Sequence, residues 1–205
     1  MKFKLVLLFL SLCFTSAVHA QFPGHESIGF FYEIGYHDLY TENPLELPGE
    51  EKVKDWSVGV SVKGRFNNHS VRVSGIYSER GGFSDFNTVD GQSFRAELRN
   101  RIGMILIEPL LFRLGNKVIY SDIAVGMYTS VNLVSQLDRG NGWEKFTDVM
   151  GYRLTNLDVG PTLQVSAGIG MVSVYGIYML GIRDNDETET IIKNRHSGLG
   201  VLISF

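Results

Sequence analysis

The sequence predicts an all-β fold, an eight-stranded antiparallel up-and-down transmembrane β-barrel. Three observations carry this reading. Apolar residues alternate with polar or small ones at period two along most of eight segments, the signature of strands that divide two environments. The connections between those segments alternate between short turns and long polar loops. The chain stops at Phe205, with Leu199, Val201 and Ile203 at every second position before it.

Residues 1–20 precede the barrel. Lys2 and Lys4, an apolar run over 5–14 and the ending Val18-His19-Ala20 have the layout of a secretory signal peptide with a small residue at the cleavage point. Removing these 20 residues from 205 leaves 185, residues 21–205, enough for one domain. The formal charge then goes from −3 to −5, because the removed piece carries two lysines and no acid. Cys13 leaves with it, so the mature chain has no disulfide, thiolate nucleophile or cysteine-ligated metal. The acidic balance argues against a nucleic-acid partner. No second apolar run reaches the ~20 residues that a spanning helix needs, which excludes a helical membrane protein.

The strands follow in order. In 27–37, Ile28, Phe30, Tyr32, Ile34 and Tyr36 oppose Gly29, Phe31, Glu33, Gly35 and His37. In 55–66, Trp56, Val58, Val60 and Val62 oppose Ser57, Gly59, Ser61, Lys63 and Arg65. In 70–78, Val71, Val73 and Tyr77 oppose Ser70, Arg72 and Ser74. The fourth strand lies within 98–113 and is apolar on both parities, so its facing stays open. In 118–133, Ile119, Ile123, Val125, Met127, Val131 and Leu133 oppose Tyr120, Asp122, Ala124, Gly126, Tyr128, Ser130 and Asn132. In 154–166, Leu157, Val159, Leu163 and Val165 oppose Asn156, Asp158, Gly160, Thr162 and Gln164. The seventh strand, 171–183, is again apolar on both faces. In 196–205, Leu199, Val201, Ile203 and Phe205 oppose Gly198, Gly200, Leu202 and Ser204. No helical period of useful length occurs in the mature chain.

Three connections are turn-like, at 67–68, 115–117 and 167–170, and four are long and polar, at 38–54, 79–97, 134–153 and 184–195. Strict alternation puts all long loops at one end, and an even strand count puts both termini at the other. A soluble barrel also alternates, with its apolar face inward. Here the less apolar face is mostly Gly, Ser, Ala and Asn with a few charges, which suits a crowded lumen rather than a solvated surface. The other face is bulky and aliphatic, with Trp56, Tyr77, Phe66 and Phe205 near strand ends, as a lipid-facing band with aromatic girdles requires. The expected location is the cell outer membrane. The last strand, Leu199, Val201, Ile203 and Phe205, is expected to be read by the outer-membrane assembly machinery.

Several short motifs point to a family. Tyr77-Ser78-Glu79-Arg80-Gly81-Gly82, Ile107-Glu108-Pro109-Leu110-Leu111, Leu157-Asp158-Val159-Gly160 and the end from Gly198 to Phe205 resemble the PorT-like outer-membrane β-barrel proteins of the Bacteroidota type. The resemblance covers the mature chain in layout. It implies an eight-stranded outer-membrane barrel, with some members linked to secretion or gliding, and it supplies no catalytic residues.

The charges Glu33, Lys63, Arg65, Arg72, Asp122 and Asp158 fall on inward faces and are expected to form a mutually paired polar network that fills and locks the lumen, since unpaired charge there is costly. The competing reading, a selective polar pathway, asks for more width than eight strands give. Catalysis finds weak support. His25-Glu26-Ser27 has a His-x-Ser spacing but precedes the first strand, and His69-Ser70 and His196-Ser197 are adjacent, which on a strand sends them to opposite faces. No phosphate loop, metal-ligand spacing or cofactor motif appears. The first long loop carries Asp38, Glu42, Glu46, Glu50, Glu51 and Asp55 against Lys52 and Lys54, and the last clusters Asp184, Asp186, Glu187 and Glu189. These read as solvated charge, with divalent bridging to lipid headgroups as the alternative. Trp143 and Phe146, with Phe83 and Phe86, are loop aromatics that anchor at the interface, contact a partner or fold back over the barrel mouth. The expected function is therefore non-enzymatic: a barrel in outer-membrane lipid whose outward loops bind a protein partner or surface component. The rival classes are a lipid-modifying enzyme and a soluble periplasmic ligand-binding barrel.

Overall fold

The computed structural model describes residues 25–40, 53–66, 69–87, 93–116, 118–151, 157–182 and 193–205. The expected signal segment, residues 1–20, lies outside them. The described strands are β1 (His25–Tyr40), β2 (Val53–Phe66), β3 (His69–Asn87), β4 (Ser93–Gly115), β5 (Ile119–Asp138), β6 (Trp143–Lys145), β7 (Leu157–Ile169), β8 (Val172–Leu180) and β9 (Lys193–Ser204), with one short helix, α1 (Phe146–Met150). All pairings are antiparallel. The order β4-β3-β2-β1-β9-β8-β7-β5 is closed by β4 on β5, so eight strands form a ring without an edge. β6 is an appendage that folds back on β5.

The turns follow from their residues. Between β4 and β5, Gly115 takes a positive φ of 104° and the Asn116 side-chain oxygen accepts the Val118 and Ile119 amides, both at 2.8 Å. Between β7 and β8, Gly170 has a φ of 59°. These turns, Phe66 and His69, the start of β1 and Phe205 share one end of the barrel. The ends of β1, β3, β5 and β8 share the other.

Facing is as the alternation predicts on β1, β2, β3, β5, β7 and β9. Glu33, Ser57, Arg72, Ser74, Ala124, Ser130, Thr162 and Gln164 are buried inward, while Ile34, Val58, Val73, Val125, Leu163 and Leu199 are exposed outward. The two strands whose facing the sequence leaves open are resolved by what fills the barrel. Ile102, Met104 and Leu106 of β4 and Tyr175, Ile177 and Met179 of β8 point inward, where they pack with Ile76, Tyr128, Leu202 and Phe31. The outward faces of the same strands carry Ile105, Ile107, Val174 and Tyr178. The lumen is thus apolar at one level and polar at others, and β4 and β8 are apolar on both sides.

A bulge in β4 sets the lower lumen. Ile107 pairs with Met127 and Leu110 with Val125, so Glu108 and Pro109 together face Gly126. Proline has no amide to give a ladder and is tolerated at such an irregularity. A Cβ at Gly126 would lie 2.2 Å from the Ile107 carbonyl oxygen, so only glycine fits opposite the bulge.

The predicted long loops are partly strand. β3 and β4 continue as a regular ladder from Glu79↔Arg101 to Asn87↔Ser93, and β5 runs on to Asp138 past an irregularity near Arg101 and Ile102. The reason is that apolar-outward alternation reports the lipid, not the strand. Above the bilayer the outer face of the ladder is solvated, and it carries cross-strand ion pairs instead, Arg101 to Glu79 at 3.0 Å and Arg99 to Glu79 at 3.8 Å. The segment after β5 also holds structure that a loop reading missed. Asp138 accepts the Gly140 and Gly142 amides at 2.7 and 3.0 Å, which turns the chain back into β6 and α1. A five-residue helix is a single turn, too short to leave a period, and packing rather than propensity holds it.

Candidate functional site: the lumen and its mouth

The exterior decides what the lumen is. Around the ring the outward side chains are large, apolar and exposed, among them Ile34 at 59%, Val174 at 58% and Met127 at 54%. A soluble barrel would turn this face inward. A closed ring with its backbone groups paired and an apolar exterior is the solution a bilayer demands, so this is a membrane-spanning barrel. Aromatic contacts mark both rims. Trp56 meets Tyr77 at 5.7 Å toward the long-loop end, and Phe30 meets Phe205 edge-on at 6.4 Å toward the turn end.

Inside, the lower lumen is locked by Arg72 on β3 and Glu108 on β4. The two are register partners. Arg72 Nη2 donates to Glu108 Oε1 at 2.8 Å and its Nε donates to Oε2, a fork-to-fork pair with Glu108 fully buried. Beside it a cavity of about 20 Å3, bordered by Glu33, Arg72, Gln164 and Tyr175, has room for about one water. At the turn-end rim Arg113 donates two 2.7 Å bonds to Asp122 and stacks 3.9 Å over Tyr120.

The upper lumen holds a chain of polar contacts. His196 Nε2 lies 2.7 Å from Glu33 Oε1 and His196 Nδ1 lies 2.7 Å from Asp55 Oδ2. His37, the register partner of His196 on β1, contacts Asn194 Oδ1 through Nε2 at 3.1 Å. Asn194 Nδ2 and Tyr128 Oη both donate to Asp158 Oδ2 at 2.8 Å. Arg80 donates to Ser78 at 3.2 Å and approaches Met179 Sδ at 3.3 Å. Glycines make the space. Gly35 and Gly198 are register partners, and a Cβ on Gly198 would sit 2.8 Å from the Glu33 carboxyl.

Above this level α1 packs inside the β4–β5 wall. Phe146 and Met150, one turn apart on α1, bury against Ala96, Leu98 and Leu137 on the inner face of the extended ladder. Trp143 on β6 lies under the Arg99 guanidinium, 4.0 Å from its ring centre. Of the readings for the loop aromatics, Phe146 therefore folds back, against the inside of that wall.

Among the predicted network residues, Glu33, Arg72, Asp122 and Asp158 are buried and hydrogen-bonded inside. Lys63 is half-buried on the inward face, and the Arg65 side chain lies outside the described residues. The structure corrects one assignment: Asp55, grouped with the solvated loop acids, is 5% exposed and bonded to His196. Its parity was the signal, two residues before Ser57 on the inward face. Glu108 was hidden on a strand of open facing, and His37, His196, Tyr128 and Asn194 carry no charge pattern to single them out. His196 and Ser197 do face opposite sides, and both His196 nitrogens are taken by carboxylates. The remaining acids of the first loop, except Asp38, and the Asp184, Asp186, Glu187 and Glu189 cluster lie outside the described residues.

The chain is similar to three solved small barrels. With Neisserial surface protein A it shares 11% identity at a TM-score of 0.49, over 89% of this chain and 99% of that one. With the Ail attachment invasion locus protein of Yersinia pestis it shares 11% at 0.35, over 89% and 99%. With the N-terminal β-barrel domain of Pseudomonas aeruginosa OprF it shares 8% at 0.36, over 88% and 99%. No family model and no curated protein matches, so the PorT-like likeness rests on the motifs quoted above.

Proposed function

We propose that this chain is an integral outer-membrane β-barrel without catalytic activity of its own, with a lumen plugged by side chains and outward loops that bind a protein partner or surface component. The observation that carries the reading is the combination of an apolar exterior with an interior filled by the Arg72–Glu108 lock and the apolar layer around Tyr175 and Met179. A plugged barrel leaves its extramembrane end as the surface free to act. There the β3–β4 ladder rises with its ion pairs, and β6 and α1 pack on the β4–β5 wall to broaden that surface. The test is twofold. Purified protein in planar bilayers should give no steady conductance. A cysteine at the exposed Asn141 should be labelled on intact cells, while one at Asn116 should not. Steady channels would overturn the plug, and labelling of Asn116 alone would invert the orientation.

The last strand supports the assembly part of the proposal. Leu199, Val201, Ile203 and Phe205 all point outward, and Phe205 is tied to Ile28 by two backbone hydrogen bonds of 2.8 and 3.1 Å. Before β1 meets β9 this strand presents one apolar edge able to augment another sheet. Deleting Phe205 should lower the amount in the outer membrane and leave material in the periplasm, while the refolded protein melts near the parent. Normal membrane levels with a much lower melting point would make Phe205 a rim anchor only.

A further inference from the structure

We propose that His37, Asp55 and His196 bind one divalent metal ion of the zinc class in the upper lumen. The three sit on adjacent strands β1, β2 and β9, and one ligand atom from each lies within 4.8 Å of the others. They are 2%, 5% and 1% exposed. Two imidazoles and a carboxylate are the donor set that suits zinc, with a fourth position left for water.

Hydrogen-bond bookkeeping fixes which ring nitrogen of each histidine keeps a lone pair for a metal. Asp158 is acceptor-only when ionised, so the Asn194 amide nitrogen must point to it and the Asn194 oxygen must point to His37. His37 Nε2 therefore carries the proton, and Nδ1 keeps its lone pair. That Nδ1 is buried with no partner, and so is Asp55 Oδ1. Unmet buried acceptors of this kind are costly and call for an explanation. His196 repeats the arrangement: Glu33 accepts from Nε2, which leaves Nδ1 turned to Asp55 Oδ2 at 2.7 Å. Without a metal that short contact needs a second proton on the ring or one on a carboxyl. A metal ion takes the place of that proton, and Glu33 and Asn194 become the outer-shell acceptors that orient each imidazole.

Space and charge agree. A Cβ on Gly35 would lie 2.6 Å from His196 Cε1 and 2.7 Å from Asp55 Oδ1, so this glycine keeps the cluster uncrowded. Four-coordinate bonds of ~2.0–2.1 Å put ligand atoms about 3.3 Å apart, which the 2.7 Å contact reaches by a small side-chain rotation. With neutral imidazoles, the carboxylates in contact with His196, Glu33 and Asp55, leave the cluster with acidic ligands that suit a cation.

The experiment uses the full mature chain refolded in detergent, stripped with a chelator and dialysed against Zn2+ or Co2+ alone. One equivalent of Zn2+ should remain bound and raise the melting temperature, and Co2+ should give the intense visible bands of a four-coordinate site. His37→Gln should abolish stoichiometric binding, and Glu33→Gln should weaken it by the ~10–100-fold typical of an outer-shell partner. His69→Gln, at the turn end, should bind like the parent. Failure of the parent to retain one equivalent, a weak six-coordinate Co2+ spectrum, or binding that survives both His37→Gln and Asp55→Asn would overturn the site. The parent's stoichiometry and Co2+ spectrum decide the matter even if a variant does not fold.

Discussion

Truncating Glu108 to alanine is expected to lower the stability of the folded barrel by roughly 3–5 kcal/mol, the cost of leaving one member of a buried ion pair uncompensated. Glu108 has no exposed surface, and both its oxygens are taken by the Arg72 fork. Arg72 is itself 6% exposed, and Glu108 is the carboxylate it bonds among the described residues. The cause is the unpaired guanidinium rather than the lost attraction, so the loss should be largely reversed by removing the charge as well. Arg72→Met in the Glu108→Ala background should recover most of the stability, since replacing a buried pair with apolar groups of similar size is often neutral. Urea unfolding in lipid vesicles measures both. A loss below about 1 kcal/mol for Glu108→Ala, the range of solvated pairs, would mean that water bathes the lumen at this level.

How much of this was legible in the sequence depends on what each strand faces. Alternation is a contrast signal, and it reads well where one side is lipid and the other is small or polar. β1, β2, β5, β7 and β9 meet that condition, and Glu33, Asp122 and Asp158 follow from their parity. The contrast vanishes where the lumen is apolar too, and Ile102, Met104 and Leu106 then look no different from Ile105 and Ile107. Glu108 is hidden there, because a strand with no facing cannot say where this acid points. The contrast also vanishes beyond the bilayer, which is why the ladder from Glu79 to Asn87 reads as loop. The upper-lumen cluster was partly visible, with His37 and Glu33 on one inward face. Asp55 and His196 sit at strand ends that merge into polar loops, and only the closure of β9 on β1 brings His196 beside His37.

Arginine at Val125 is expected to destabilise the barrel by roughly 2–4 kcal/mol, the cost of a basic side chain near the bilayer midplane on a barrel's lipid face. Val125 points outward at 40% exposure in the middle of the spanning part of β5, between Leu110 on β4 and Leu163 on β7. Nothing crowds it from the lumen, so the effect isolates the medium outside. Depth supplies the control. Ile119 lies on the same face of the same strand, at the turn end, at 62% exposure. Arginine there should cost only ~0–1 kcal/mol, because the guanidinium reaches the headgroups. In water both substitutions would fall within about 0.5 kcal/mol of the parent, as exposed replacements usually do. Equilibrium unfolding in vesicles of the two variants therefore separates lipid from solvent by a difference within one strand. Equal, small effects at Val125 and Ile119 would show that this face does not lie in hydrocarbon, and the reading of the exterior would fail with them.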